Sequence, residues 1–256
     1  MRKTVLITGV TSGIGEATAI KFAEAAGRLI ITGRRKERLS ELTEYLVEEY
    51  SVEVLPLCFD VRDAAEVERF LGHLPDEWKE IDILVNNAGL AVGLNHIDVG
   101  EIDDWDRMID TNVKGLLYVT RAIVPLMVQR GKGHIINISS IAGKDVYENG
   151  AVYCASKHAV DALSKSMRID LLKHGIKVTN IAPGMVETEF SLVRFKGDEG
   201  KASDVYEGIE ALTGDDIAGA IFYCASLPAH VCINDLIITP TAQAGVHHSV
   251  RKNKQS

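Results

Sequence analysis

Short β-rich runs alternate with longer stretches of helical periodicity along almost the whole chain, and this alternation restricts the fold more than any other feature. The runs are TVLIT (4–8), RLIIT (28–32), VEVLPLCF (52–59), DILVN (82–86), HIINIS (134–139), KVTNIA (177–182) and LIIT (236–239). Between them, apolar residues recur at helical spacing in 14–26, 36–49, 63–73, 103–130, 151–174 and 214–226. Strands that are apolar throughout and separated by helices must pair in parallel and be covered on both faces. The pattern therefore predicts an α/β fold: one doubly wound domain, with helices on both sides of a parallel sheet built from the seven runs.

A length of 256 residues is within the range of one large α/β domain. No internal repeat, low-complexity block or linker divides it. The one break in rhythm is 183–212, which follows the sixth run and mixes glycines, charges and aromatics. An insertion at the C-terminal end of a parallel strand is where a binding lid belongs. Local signals give boundaries. Asp103 and Asp104 open one helix, Gly175 closes another, and Pro125 is expected to kink its helix or mark an irregularity. The ordered domain is expected to span 1–243, with GVHHSVRKNKQS inside a mobile tail over 244–256.

The net charge of −8 argues against nucleic acid or an anionic membrane surface as partner, and leaves a small-molecule ligand. No apolar run approaches membrane-spanning length. Cys58, Cys154, Cys224 and Cys232 lack metal-ligand spacing and are read as reduced packing residues of a cytoplasmic protein. No His/Cys/carboxylate cluster suggests a metal.

The first strand runs into TGVTSGIGEATAIKF. Gly9, Gly13 and Gly15 lie between a strand and a helix, where the backbone of Thr11, Ser12 and Ile14 and the helix N-terminus can meet a pyrophosphate. The same glycines could also make only a tight turn, and their spacing differs from G-x-G-x-x-G. The second strand ends TGRRKER, with Arg34 and Arg35 where a carboxylate would bind a free ribose 2′-hydroxyl. Forked donors suit a 2′-phosphate, so NADP(H) is favoured over NAD(H). Ser12 tempers this, because a Lys or Arg is common just before the second glycine. Asp60 and Val61 follow the third strand, and NNAG, with Asn87, follows the fourth.

In AVYCASKHAVDAL, Tyr153 and Lys157 stand four residues apart, on one face of a helix. Alone, such a pair is most often a surface contact. An ammonium beside a phenol can also lower a pKa of about 10 and make the phenol a usable acid/base.

Together, TGVTSGIG, Asp60–Val61, NNAG, Asn112, NISS, Y-x-x-x-K and PGMVET occur in the order and spacing of the short-chain dehydrogenases/reductases, which the chain resembles up to about residue 243. The resemblance implies a seven-stranded Rossmann fold and hydride transfer with a nicotinamide. It assigns Tyr153 as general acid/base and Lys157 as the group that holds the nicotinamide ribose and lowers the tyrosine pKa. Ser140, rather than Ser139, matches the serine that bonds the substrate oxygen, and Asn112 the residue that positions a relay water. Thr188 matches a carboxamide contact, with Pro183, Gly184 and Val186 alongside.

Several segments, among them ITGRRKERL, MIDTNVKGLLYVTRA, TEFSLVRFKGD and LPAHVCIN, are most similar to NADP-dependent 3-hydroxy acid dehydrogenases, which act on serine, L-allo-threonine or malonic semialdehyde. A carboxylate-bearing substrate calls for a cation on the lid, and Arg194 is the candidate, with Lys196 second. Two other readings stay open: a steroid, sugar or acyl-carrier-bound ketone as substrate, or an NADP-binding sensor without turnover. The complete Asn/Ser/Tyr/Lys set argues against the second. The family also suggests a homotetramer.

Overall fold

The computed structural model describes residues 3–25 and 27–252. Seven parallel strands form one sheet: β1 (Thr4–Thr8), β2 (Arg28–Gly33), β3 (Val54–Cys58), β4 (Ile81–Asn86), β5 (Gly133–Ile138), β6 (Ile176–Pro183) and β7 (Asp235–Ile238). Their order is β3-β2-β1-β4-β5-β6-β7. The chain moves outward from β1 to β3, returns to the other side of β1 at β4, and moves outward again. The carboxyl ends of β1 and β4 thus flank a switch point, where adjacent loops diverge and leave a crevice. All seven runs become strands, and their ends move by at most a residue or two (Val54–Cys58 against 52–59, for instance).

Alternate residues of the central strands feed two cores. Val5 and Ile7 of β1 pack with Leu29 and Ile31 of β2 against α1 (Gly13–Glu24), α2 (Lys36–Tyr50) and α9 (Gly214–Ser226). Leu6 and Ile30 face the opposite way, toward α3 (Ala64–Leu71), α5 (Leu116–Arg130) and α6 (Ala151–Asp170). Period-2 side-chain alternation in a sheet covered on both faces buries both sets of side chains, which is why the runs are mostly apolar, with buried exceptions such as Asn86, His134 and Asn137. Pro56 sits in β3, and β3 is an edge, where a missing amide donor is tolerated.

The stretch 103–130 is not one helix. α4 (Ile102–Ile109) leads into a π-helical turn, Asp110–Gly115, before α5 begins. The irregularity lies there, while Pro125 sits inside a continuous α5. Its physical cause is Asn112, buried in the π turn, whose side chain turns inward to satisfy the Leu90 backbone. Gly175 does close the α6 region, at φ +67°. Asp104, in the first turn of α4 as expected, is buried and ion-paired with Lys196 at 2.8 Å.

The insertion at 183–212 is zipped at its base. The Glu187 amide donates to the Leu212 carbonyl (2.8 Å) and the Leu212 amide to the Met185 carbonyl (3.0 Å). Between these lie α7 (Glu189–Arg194) and α8 (Glu199–Asp204).

Two expectations are corrected. Cys58 is exposed on the edge strand rather than packed, while Cys154 and Cys224 are buried and Cys232 is half-buried; all four are free thiols. Residues 244–252 are not a loose tail. Val250 donates to the Ala242 carbonyl, Ala244 to the His248 carbonyl and Lys252 to the Gly208 carbonyl, so the segment folds back over the lid. Residues 253–256 lie outside the described residues.

Candidate active site

A cavity of about 620 Å³ opens at the carboxyl ends of the strands, along the switch point. At one end it is floored by the glycine loop. Gly9 (φ +73°) and Gly13 (φ +58°) hold left-handed conformations, which lets the chain turn from β1 into α1. Gly15 is a packing glycine. A Cβ there would overlap the Gly9 carbonyl oxygen and Asn87 Nδ2. Asn87 donates through that Nδ2 to the Thr8 and Gly9 carbonyls at 2.9 and 3.0 Å, so the loop after β4 braces the loop after β1. Ser12, at the N-cap of α1, makes no capping bond with its side chain. Its hydroxyl accepts instead from Arg35 (2.8 Å), which leaves the first-turn amides without a side-chain cap at the cavity floor.

Arg34 and Arg35 line the same end. Arg34 reaches Asp60 at 3.5 Å. Arg35 also donates to the Thr11 carbonyl (2.9 Å) and to Glu189 on the lid (2.8 Å), and Arg38 reaches Glu189 at 2.6 Å. The Arg35 and Arg38 hydrogen bonds hold the Glu189 carboxyl below its usual range, against a smaller opposing effect of burial. Burial pushes the Asp60 carboxyl up, but Arg62, bonding it through Nε at 2.9 Å and Nη2 at 2.7 Å, more than offsets this and keeps it low.

At the other end α6 presents Tyr153 and Lys157, both buried. Lys157 Nζ donates to the Ile138 carbonyl at 3.0 Å and lies 5.9 Å from the Tyr153 ring centroid. Burial lowers its pKa to about 8. Burial raises the Tyr153 pKa, and the opposing influences are the Arg194 guanidinium and a hydrogen bond with Ser140. Arg194 and Ser140 are thus two further groups that favour the phenolate beside the Lys157 ammonium.

Ser139 and Ser140 both line the cavity but differ in partners. Ser139 Oγ donates to the Lys157 carbonyl (3.1 Å), while Ser140 faces Tyr153 and accepts from the Ala142 amide (3.1 Å). Asn112 does not line the cavity. It stands behind, accepting from the Leu90 amide (2.8 Å) and donating to the Leu90 carbonyl (2.8 Å) and Ser156 Oγ (2.9 Å). Ser156 in turn donates to the Tyr153 carbonyl at 2.7 Å, so Asn112 is tied to the helix that carries the phenol.

Arg194 is inside the cavity and Lys196 is not. Lys196 turns away to Glu101 (3.0 Å) and Asp104 (2.8 Å). The Arg194 guanidinium lies 4.9, 5.5 and 5.7 Å from the ring centroids of Tyr153, Phe190 and Tyr147, and donates to Tyr147 Oη at 2.6 Å. Its buried Nε has no partner. Tyr147, Phe190, Tyr206, Gln243 and Val246 also line the site, and sequence reasoning missed them. Phe190 sits in the short α7 and the others in segments without periodicity, and only proximity to Tyr153 could have flagged Tyr147. Of the expected nucleotide contacts, Gly9, Thr11, Ser12, Gly13, Ile14, Arg34, Arg35, Asp60, Val61, Asn87, Pro183, Gly184, Val186 and Thr188 line the cavity, and Gly15 sits beneath it. Among the described residues, no three or more His, Cys, Asp or Glu side chains converge as a metal site would need.

The short chain dehydrogenase family model matches residues 3–198. The chain belongs to the short-chain dehydrogenase family. It is 48% identical over 250 residues to an NADP-dependent 3-hydroxy acid dehydrogenase of Salmonella typhi, covering 97% of this chain and 99% of the other. It is 45% identical to sulfoacetaldehyde reductase 2 of Chromohalobacter salexigens, over 95% and 96% of the two chains. Among solved structures it resembles the closed form of serine dehydrogenase complexed with NADP+, with a TM-score of 0.90 and 47% identity, covering 98% of this chain and all of that one. This short-chain dehydrogenase carries its glycine loop, the Tyr153/Lys157 helix and the 183–212 insertion on a seven-stranded sheet.

Proposed function

We propose that the protein is an NADP(H)-dependent dehydrogenase of small 3-hydroxy acids such as serine, L-allo-threonine or 3-hydroxypropionate. The observation that carries this reading is Arg194, a guanidinium inside the cavity with a buried, unpartnered Nε, 4.9 Å from the Tyr153 ring. A reacting hydroxyl at Tyr153 and Ser140 then has an anion site next to it, the spacing a 3-hydroxy acid requires.

The nucleotide fit is supported by the donor set. A cradle that a Cβ at Gly15 would fill, uncapped helix amides and two arginines suit a dinucleotide with a 2′-phosphate. When bound, the nicotinamide supplies or accepts hydride. The remaining chemistry belongs to the chain. Ser140 donates to the substrate oxygen, where negative charge develops in reduction. Tyr153 delivers its phenolic proton to that oxygen, and in oxidation the phenolate takes the alcohol proton. Burial alone holds that proton too tightly, and Arg194 and Ser140 oppose it. Asn112 and Ser156 position α6 from behind, and Lys157 would hold the ribose. Arg194, with the Tyr147 hydroxyl beside it, anchors the carboxylate.

The test is a panel of 3-hydroxy acids, sulfoacetaldehyde and uncharged alcohols and ketones with NADP(H) in both directions, run on wild type and Arg194→Ala. Losing a charge-assisted pair should raise KM for the anionic substrates about 10- to 100-fold while leaving uncharged ones within about twofold. Equal effects on both would refute the carboxylate role. A cytoplasmic homotetramer is part of the same reading. Exposed Ile169 on α6, Leu172 just after it, Tyr223 on α9 and Ile237 on β7 suit subunit contacts. No helix among the described residues is long and apolar enough to cross a membrane.

A further inference from the structure

Residues 242–250 form a small hairpin. Gln243 pairs with Ser249, Ala244 donates to the His248 carbonyl at 2.8 Å, and Val250 donates to the Ala242 carbonyl at 2.9 Å. The base of the hairpin is fixed to the strand end behind the cavity, since buried Gln243 accepts the Met185 amide at 2.9 Å. Its tip is held on the opposite rim, where His247 Nε2 donates to the Val146 carbonyl at 2.6 Å. Val146 lies in the loop between Ser140 and Tyr153, next to Tyr147.

Past the hairpin the chain grips the lid. Arg251 donates to the carbonyls of Asp204 (3.1 Å), Val205 (3.0 Å) and Glu207 (2.6 Å), three acceptors at the frayed end of α8. The Lys252 amide donates to the Gly208 carbonyl at 2.8 Å. Gly208 has φ +72°, and a Cβ there would press on the Lys252 carbonyl oxygen, so the approach is close. The segment therefore spans the cavity mouth from the lid to the 144–147 loop. Val246, at the tip, lines the cavity together with Tyr147, Arg194, Val205 and Tyr206. These are the substrate-end residues; the glycine loop and Arg34/Arg35 lie at the other end.

We propose that the C-terminal hairpin is a fixed wall of the substrate pocket, with Val246 as the residue that limits substrate chain length and Arg251 as the residue that positions the wall. The proposal rests on the 3-hydroxy acid reading and sharpens it. The acid's carboxylate meets Arg194, its reacting carbon meets Tyr153, and its far end meets Val246. A valine there leaves room for a hydrogen or a methyl beyond the hydroxyl carbon and excludes longer chains.

The test uses the full chain with NADP+ and a ladder of 3-hydroxypropionate, 3-hydroxybutyrate and 3-hydroxyhexanoate. Val246→Ala should raise the ratio of kcat/KM for the six-carbon acid over the three-carbon acid by about tenfold or more, as one or two methylenes of pocket space predict. Val246→Trp should lower kcat/KM on every acid. Both should bind NADPH within about twofold of wild type. Arg251→Ala should relax length selection and increase acrylamide quenching of bound NADPH fluorescence, because the wall is released from the lid. Unchanged ladder ratios in both Val246 variants, or NADPH affinity falling in step with kcat/KM, would overturn the proposal. Absence of turnover on any 3-hydroxy acid by the wild type would sink the substrate assignment instead. The quenching comparison then still decides the hairpin, and equal quenching in wild type and Arg251→Ala refutes it.

Discussion

Replacing Lys157 by methionine should stabilise the ligand-free protein while removing its activity. Lys157 is 6% exposed, and its one described hydrogen bond goes to the Ile138 carbonyl. Burial lowers its pKa from 10.5 to about 8. The folded state therefore carries the ammonium at a cost below about pH 8, whereas the unfolded chain carries it freely up to about pH 10. Between those limits the unfolded chain binds more protons, so stability should rise with pH there. At about 1.4 kcal/mol per unit, the shift is worth about 3 kcal/mol at neutral pH. Methionine fills a similar volume without charge, but it leaves the Ile138 carbonyl unpaired at about 1 kcal/mol. The net expectation is a gain of about 2 kcal/mol at pH 7, shrinking toward zero or reversing near pH 10. Urea unfolding of the nucleotide-free protein across this range measures it, alongside an NADP(H) turnover assay in which the variant should lose at least about 100-fold. A variant that is less stable than wild type at pH 7, or whose advantage does not fall with pH, would refute the account of Lys157 as a charge held at a cost for function.

Two further outcomes follow from buried groups. His134, bonded to Thr179 Oγ1 at 2.7 Å, has its pKa lowered from 6.5 to about 3, chiefly by burial and then by Lys177 and Lys3. A depressed pKa means that the unfolded chain takes up the proton first on acidification. Stability should therefore be full above about pH 6.5 and decline below it, by up to about 5 kcal/mol, and His134→Gln should flatten that limb in urea titrations at pH 7 and pH 4.5. Gly15→Ala gains about 1 kcal/mol of helix propensity but forces apart the Gly9 carbonyl and Asn87. The result should be a net loss of about 1–2 kcal/mol in stability and weaker NADPH binding, read by fluorescence titration. Unchanged nucleotide affinity would show that the brace between the two loops is dispensable.

The strands and most helices were legible because each rests on local patterning: period 2 on a doubly covered sheet, period 3.6 on its helices, and glycines where β1 turns into α1. The residues that line the glycine-loop end of the cavity were legible for the same reason, since they come from one contiguous loop and the ends of neighbouring strands. The π turn at Asp110–Gly115 was not, because its cause is a bond between Asn112 and Leu90, 22 positions away. Nor was the state of Tyr153. The i,i+4 spacing placed Lys157 on its face, but the fold directs that ammonium to Ile138 and brings Arg194, from a lid 41 residues downstream, over the ring.

The sequence by itself determined which chemistry is available: a phenol, a serine, a lysine and an asparagine in family order, with paired arginines at the second strand. Tertiary structure alone decided which cation meets the phenol, that Lys196 turns away to Asp104, and that residues 244–252 close the pocket instead of trailing from it. The difference is physical. Helix and strand identity follow from near-neighbour periodicity, whereas burial, charge pairing and the walls of a cavity depend on segments that only the folded sheet brings together.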